Sequence, residues 1–259
     1  MKLFENSVSR LRSLADRAVA ASPGAPLPYR TLAALARRAG TPLAPEALVT
    51  TSREAARAAR RLGFPVALKV IASDLAHKTE AKAVAVDRPD ARGVRRTAVR
   101  MLAATRRHRV EGLLVQRMVR GIEVLAGVTR DTTFGLQLVV GAGGVQAELL
   151  ADTAGRPLPV TRADVTAMLG EVRALGALNR FRGTPPADVQ ALVSAVLGVA
   201  RLAQVLGDGL VVLDVNPIIV SDHGAFAVDL LAETGASIHG ERVAPFDRIG
   251  RRPSERRAR

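Results

Sequence analysis

The chain has 259 residues, enough to bury a substantial core in one or two domains. Its 48% hydrophobic and 24% charged residues are ordinary for a soluble globular protein, and the absence of cysteine excludes disulfides and cysteine-ligated metals. The net charge of +14 favours anionic partners such as nucleotides or coenzyme A, whereas 3% aromatics and no tryptophan disfavour nucleic acid by leaving few stacking platforms.

Residues 1–22 predict an amphipathic helix with Leu3, Val8, Leu11, Leu14 and Ala18 on roughly one face. Its charges interrupt any continuous secretory core, and no pure apolar run reaches the length of a membrane span, so a cytoplasmic location without a membrane partner is expected. Pro23, Gly24, Pro26 and Pro28 read as a linker. A short helix over Tyr29–Ala39 should stop at Gly40 and Pro42, followed by a strand at Ala47–Thr50 and a helix over Ser52–Leu62 with Ser52 as N-cap. Pro65–Ile71 reads as a buried strand and Ala83–Asp87 as the next. Asp90–His108 reads as a helix whose arginines (Arg92, Arg95, Arg96, Arg100, Arg106 and Arg107) form a solvated face.

Strands are then expected at Gly112–Met118, Glu123–Thr129, Leu136–Val140 and Ala147–Ala151, with a polar turn over Arg130–Gly135. Helices follow over Arg162–Arg173 and Ala187–Leu206, flanking the loop Asn179–Pro186. Val211–Val220 and Ala225–Leu231 read as a closing hairpin, and the arginine-rich stretch after about residue 236 as a disordered tail. Helices mixed with hairpins predict an α/β (α+β) chain rather than a doubly wound sheet.

Four segments place polar residues where plain strands would not. Lysine is scarce, with four against thirty-four arginines, and Lys69, Lys78 and Lys82 fall within Gly63–Val86. A lysine ending an apolar strand before a His77-Lys78-Thr79 turn suits phosphate handling, or is an ordinary edge hairpin. In Val115–Asp131, Gln116 and Met118 end a strand where a nucleotide base can pair with backbone, and Glu123 can take ribose hydroxyls. Gly141–Leu150 is a glycine turn before Glu148; such turns let backbone N–H groups approach an anion, though most simply turn the chain. Asp214, Asn216 and Asp229 fall on two strands read as adjacent. They are hard oxygen donors of the kind Mg²⁺ accepts, or members of a capped Asn-Pro hairpin.

Taken together, GFPVALKV, SDLAHKTE, LLVQRMVRGIEVLAGVTRD, FGLQLVVGAGGVQAELLAD, RFRGTPPAD and LDVNPIIV resemble, in order, the ATP-grasp segment of the ADP-forming acyl-CoA synthetases. This is the beta-subunit-like part of the acetate–CoA ligase type, related to the succinyl-CoA synthetase beta subunit. The resemblance spans about Pro28–Glu233. It implies an ATP-grasp fold of two subdomains with nucleotide between them: subdomain 1 over 28–118 and subdomain 2 over 119–235. A helix and linker over 1–27 precede them, and a basic tail over 236–259 follows.

The resemblance also implies roles. His77 matches the histidine that carries the phosphoryl group, and Lys69 the lysine on the ATP phosphates. Gln116, Arg117 and Met118 fall at the adenine hinge, with Glu123 and Arg130 as further nucleotide contacts. Asn216 and Asp229 match the Mg²⁺ ligands, with Glu148 a weaker candidate, and Asp214 can hold the phosphohistidine. The implied cofactors are ATP/ADP and Mg²⁺. The implied partner is a CoA-binding alpha-type subunit or domain in a hetero-oligomer, through which acyl-CoA and phosphate enter. One departure stands out: after the histidine turn the family has an acidic residue, an apolar residue and two glycines, where this chain has Glu80, Ala81, Lys82 and Ala83. Loss of those glycines opens an alternative, a regulatory nucleotide-binding subunit without catalysis.

Overall fold

Two antiparallel sheets carry the fold, in a computed structural model that describes residues 2–74, 83–143, 152–179 and 186–235. His77, Lys78, Lys82, Glu148, the strand read at Ala147–Ala151, residues 180–185 and the tail lie outside the described residues.

The smaller sheet has four strands, β1 (Glu46–Val49), β2 (Val66–Ala72), β3 (Val84–Arg88) and β4 (Val110–Arg117), in the order β1-β4-β2-β3. One face is covered by α3 (Ser52–Leu62) and α4 (Ala91–Ala104). Ala55, Ala59, Val94, Ala98 and Met101 of these helices bury Val66, Leu68, Val70, Leu113 and Val115 of the sheet. A leucine as enclosed as Leu68 or Leu113, both at 0% exposure, contributes roughly 2 kcal/mol. The cap of α3 lies one residue before the expected Ser52. Thr51 takes that place and accepts from Glu54 N, while Glu54 reaches back to Thr51 N at 3.1 Å. Glu54 is the third helical residue from Thr51, so the Thr-x-x-Glu spacing selects Thr51 over Ser52.

The larger sheet contains β5 (Ile122–Asp131), β6 (Gly135–Ala142), β7 (Thr153–Pro157), β8 (Leu210–Ser221), β9 (Gly224–Ala227) and β10 (Leu231–Thr234). Its order is β10-β8-β5-β6-β7, with β9 also paired to β8. Every pairing in both sheets is antiparallel, in keeping with an α+β chain rather than a doubly wound one. β5 runs two residues beyond its expected end, so the turn to β6 is shorter than the sequence suggests. β7 is absent from the sequence reading because Thr-Ala-Gly-Arg-Pro looks like a turn; as an edge strand it tolerates both Gly155 and Pro157.

Inward residues of the larger sheet (Val124, Ala126, Val128, Leu213, Val215) pack on α6 (Val189–Leu206), joined by α5 (Arg162–Glu171), α1 (Lys2–Ala20) and α2 (Tyr29–Ala39). By length and composition the α6 segment could cross a membrane. In this fold it is the central packed helix, with Leu192, Val196, Val199 and Leu202 at 0% exposure. Gly198 allows its closest approach. A Cβ there would lie 2.5 Å from the backbone of Gly40, just past the end of α2, and Arg201 Nε donates to Ala39 O at 2.8 Å beside it.

α2, grouped by sequence with 28–118, thus contributes Leu32, Leu35, Ala36 and Ala39 to the larger cluster. The proline-rich stretch before it is no loose linker. Leu27 N donates to Ala232 O at 2.8 Å, and Pro26 bridges Glu233, which stitches the stretch to β10.

Candidate nucleotide site

Side chains alternate along β2, so Lys69 points away from Leu68 and Val70, which lie under the helices. It is 9% exposed and shares the opposite face with Ile71, its cross-strand partner Leu114, and Gln116. That face looks toward the larger sheet. Lys69 Nζ crosses to it and donates to Val228 O at 2.5 Å.

Val228 begins the segment between β9 and β10. The sequence places Asp229 on a strand, but β9 ends at Ala227, so Asp229 stands in this connection instead. The connection is anchored where Val228 N donates to Pro217 O at 3.1 Å, and Leu231 lies opposite Asp214 on β8. Asp229 therefore sits alongside the stretch Asp214–Pro217. Asp214 and Asn216, two apart, both project from the face of β8 that does not pack on α6, and each is half-buried. Asn216 and Pro217 occupy a bulge, two residues opposite Leu125 between the pairs Val124–Ile218 and Ala126–Val215. A bulge re-aims side chains and accommodates a proline that has no N–H for the ladder.

These donors fit Mg²⁺. Asp214, Asn216 and Asp229 offer hard oxygens, and among the described residues no group of three acidic or histidine side chains forms a metal cage. Mg²⁺ keeps several waters and takes one or two protein carboxylates together with substrate phosphates, which suits so sparse a set.

A network not anticipated from the sequence sits beside Lys69. The Glu46 side chain is 4% exposed and accepts from Tyr29 Oη at 2.7 Å, Arg37 at 2.6 Å and Gln116 Nε2 at 2.9 Å. Burial is the main force that raises the Tyr29 phenol far above its ordinary pKa, reinforced by the charge of Glu46, its hydrogen bond and the charge of Asp229; Arg37 opposes the shift. Asp229 is thus within electrostatic reach of Tyr29, and the network adjoins the Lys69–Val228 contact. Glu111 of β4 holds the other end, accepting from Tyr29 N at 2.8 Å and Arg30 N at 2.9 Å at the α2 N-terminus, where Pro28 supplies no side-chain cap. A lone Glu opening a strand and the single tyrosine were the available signals.

At the end of β4, Gln116 is buried at 2% with its amide on Glu46, Arg117 is exposed and Met118 half-buried. The N–H groups of Arg117 and Met118 donate to Pro45 O and Pro65 O. Glu123 is exposed at the start of β5. The glycine turn closes against it: Gly143 N donates to Glu123 O at 2.8 Å, and a Cβ on Gly143 would lie 2.9 Å from the Glu123 backbone. Arg130 is not gathered with these groups. It lies at the far end of β5, about 23 Å along the strand from Glu123, where Nε and a terminal nitrogen donate to Leu210 O and Gly207 O just past α6. Ala83, at the second of the two missing glycines, is fully buried in the smaller core, and its carbonyl accepts from Val70 N at 2.8 Å.

A family model described as an ATP-grasp domain matches residues 19–232. The chain belongs to the ATP-grasp family. Among curated relatives, it is 34% identical over 194 residues to the ADP-forming acetate–CoA ligase II subunit beta of Pyrococcus furiosus, covering 73% of this chain and 82% of that one. It is 32% identical to the ADP-forming acetate–CoA ligase I of Archaeoglobus fulgidus, covering 77% of this chain but 30% of that protein. Among solved structures, acetyl-coenzyme A synthetase 1 of Ca. Korarchaeum cryptofilum, in complex with coenzyme A and Ca-AMPCP, superposes with a TM-score of 0.75 at 29% identity, covering 81% of this ATP-grasp chain and 93% of that one. A second structure of that protein, with Mg-AMPPCP and its phosphohistidine segment pointing towards the nucleotide binding site, gives a TM-score of 0.70 at 28% identity, covering 81% of this chain and 92% of that one. The resemblance read from the six sequence blocks is borne out at the level of family and fold.

Proposed function

We propose that this chain is the ATP-grasp subunit of an ADP-forming acyl-CoA synthetase of the acetate–CoA ligase type. It would pass a phosphoryl group between a phosphohistidine and ADP in the reversible reaction acyl-CoA + ADP + phosphate = acid + ATP + CoA. The observation that carries this reading is the approach of Lys69 to Val228, which brings a buried cation of one sheet beside Asp229, Asp214 and Asn216 of the other. A nucleotide triphosphate needs both, a cation on its phosphates and oxygen donors for its metal.

In this reading the two sheets are the subdomains that hold the nucleotide between them. The Gln116–Met118 hinge lies against the adenine, Glu123 toward the ribose, and Lys69 on the phosphates. Asn216 and Asp229 would hold Mg²⁺, with Glu148 as a further candidate; the ion, when bound, neutralises charge on the phosphate oxygens. His77 is the phosphoryl carrier. Its neutral ring nitrogen attacks the γ-phosphorus of ATP, an N–P bond forms and the bond to the ADP oxygen breaks; ATP synthesis is the reverse. The Asp214 carboxylate accepts from the other ring nitrogen. Arg130 is a further candidate nucleotide contact, its guanidinium holding backbone carbonyls three residues along β5 from Gly127, the strand partner of Asp214. The names of the relatives as beta subunits support a CoA-binding alpha-type partner that brings acyl-CoA and phosphate to a hetero-oligomer.

The test combines the chain with such a partner, acyl-CoA, phosphate, ADP and Mg²⁺ and follows ATP. Wild type is expected to form ATP, and His77→Ala to form none while still binding Mg-ATP. Full activity in His77→Ala, or failure of wild type to bind nucleotide, overturns the reading.

A further inference from the structure

The arginines of α4 do more than coat a solvated helix. Arg92, Arg95, Arg96 and Arg100 project from its exposed side and, with Arg88 at the end of β3, line a groove of about 780 Å³. Five arginines line it and, among the described residues, no carboxylate does. Val99, 53% exposed, supplies an apolar patch in its wall.

Among the described residues no carboxylate pairs with Arg92, Arg95, Arg96 or Arg100. The acids nearest in sequence are engaged elsewhere: Asp90 caps α4 through Gly93 N at 2.7 Å, and Asp87 lies 3.6 Å from Arg120. Arg88 is held in place by its own Nε, which donates to Val86 O at 2.8 Å. Like charges spaced three and four apart on a helix repel one another, so an anion in the groove relieves a strain the fold otherwise carries. The groove's volume falls within the range of small-molecule sites. Guanidinium forks match phosphate oxygens two at a time, and Arg92 to Arg100 extends about 12 Å along the helix, the reach of a few linked phosphates.

The groove is separate from the nucleotide site. α4 packs on Leu68 and Val70, whereas Lys69, between them in sequence, faces away. We propose that this groove is a second anion site that takes a small polyphosphate, a run of linked phosphates such as a nucleoside di- or triphosphate carries. Among the described residues no aromatic side chain lines it, so recognition resides in the phosphates and inorganic tripolyphosphate serves as the probe. The proposal does not depend on the activity assigned above.

Calorimetric titration of the full chain with tripolyphosphate tests it, in a Lys69→Ala background that disables the other phosphate site. Binding of one tripolyphosphate is expected, weakened at least tenfold by Arg92→Gln/Arg96→Gln/Arg100→Gln, together with a rise in thermal midpoint that the triple variant loses. If the triple variant fails to fold, Arg92→Gln and Arg100→Gln alone, both at exposed positions, should each weaken binding in a smaller step. Unchanged binding in the folded variants overturns the proposal. So does a groove that ignores tripolyphosphate but binds a duplex oligonucleotide with steep salt dependence, which would make it a nucleic-acid surface.

Discussion

The ammonium group of Lys69 donates to the main-chain carbonyl of Val228 at 2.5 Å, across 159 positions of sequence. One residue lies in the middle of the smaller sheet and the other in the connection that carries Asp229. The contact fixes where the lysine charge stands relative to the oxygen donors of β8.

Lys69→Ala should lower kcat/KM for ATP formation by about a hundredfold or more, the scale lost with one preorganised electrostatic group. Lys69→Arg should not rescue it, because a planar fork cannot replace a compact ammonium in a position this enclosed. Steady-state kinetics with ADP varied, beside nucleotide binding by calorimetry, check both. Near-wild-type kinetics in either variant would remove Lys69 from the site.

Asn216→Ala and Asp229→Asn should each raise the Mg²⁺ concentration needed for nucleotide binding by at least roughly tenfold, the low end of what loss of even an outer-sphere partner costs a metal site. Nucleotide affinity measured across a Mg²⁺ titration gives the answer. A Mg²⁺ dependence unchanged in both would dissociate these residues from the metal.

Tyr29 is the only tyrosine and tryptophan is absent, so the ultraviolet absorbance of phenolate reports on it alone. Its folded pKa is raised, chiefly by burial. The stabilisation is therefore present below the ordinary tyrosine pKa and is lost as pH rises above it, because the unfolded chain releases the proton first. Alkaline titration should show no phenolate until the chain unfolds, both changes coming in one step. Glu46→Ala should cost roughly 3 kcal/mol in denaturant unfolding, because it leaves the Tyr29 hydroxyl and the Gln116 amide without their buried partner. Phenolate appearing in its ordinary range while circular dichroism stays native would contradict this account.

Two capping boxes should shape the acid limb of stability. The pKa of Glu54 is lowered, first by the N–H of Thr50 and then by Thr51; that of Asp164 is lowered by the hydroxyl and N–H of Thr161. Depressed carboxylates stabilise the fold above their unfolded pKa, and the contribution disappears as pH falls through the folded value. Glu54→Gln keeps the box without the titrating proton, so its thermal midpoint should fall less steeply than wild type below the ordinary carboxylate range. Parallel curves would mean the box does not contribute to the acid limb.

Much was legible from the sequence because it is written locally. The apolar runs in Pro65–Ile71 and Gly112–Met118, the Gly40 and Gly63 stops, and the Asp-x-Asn-Pro segment each depend on neighbours a few positions away, and they lie near where the sequence placed them. The six ordered blocks were enough for the family. What the sequence could not decide depends on distant chain meeting in space. Arg130 and Glu123 share a strand, yet a strand is long and rigid, so its ends stand apart. Asp229 left its expected strand for a connection tied through Val228 to Pro217 and Lys69. The helix α2 joined the larger core through Gly198, an approach no periodicity encodes. The arginines of α4 became the wall of a groove only when Arg88 arrived from β3. Local propensity thus determined the elements and the family, while long-range packing chose which charges stand together.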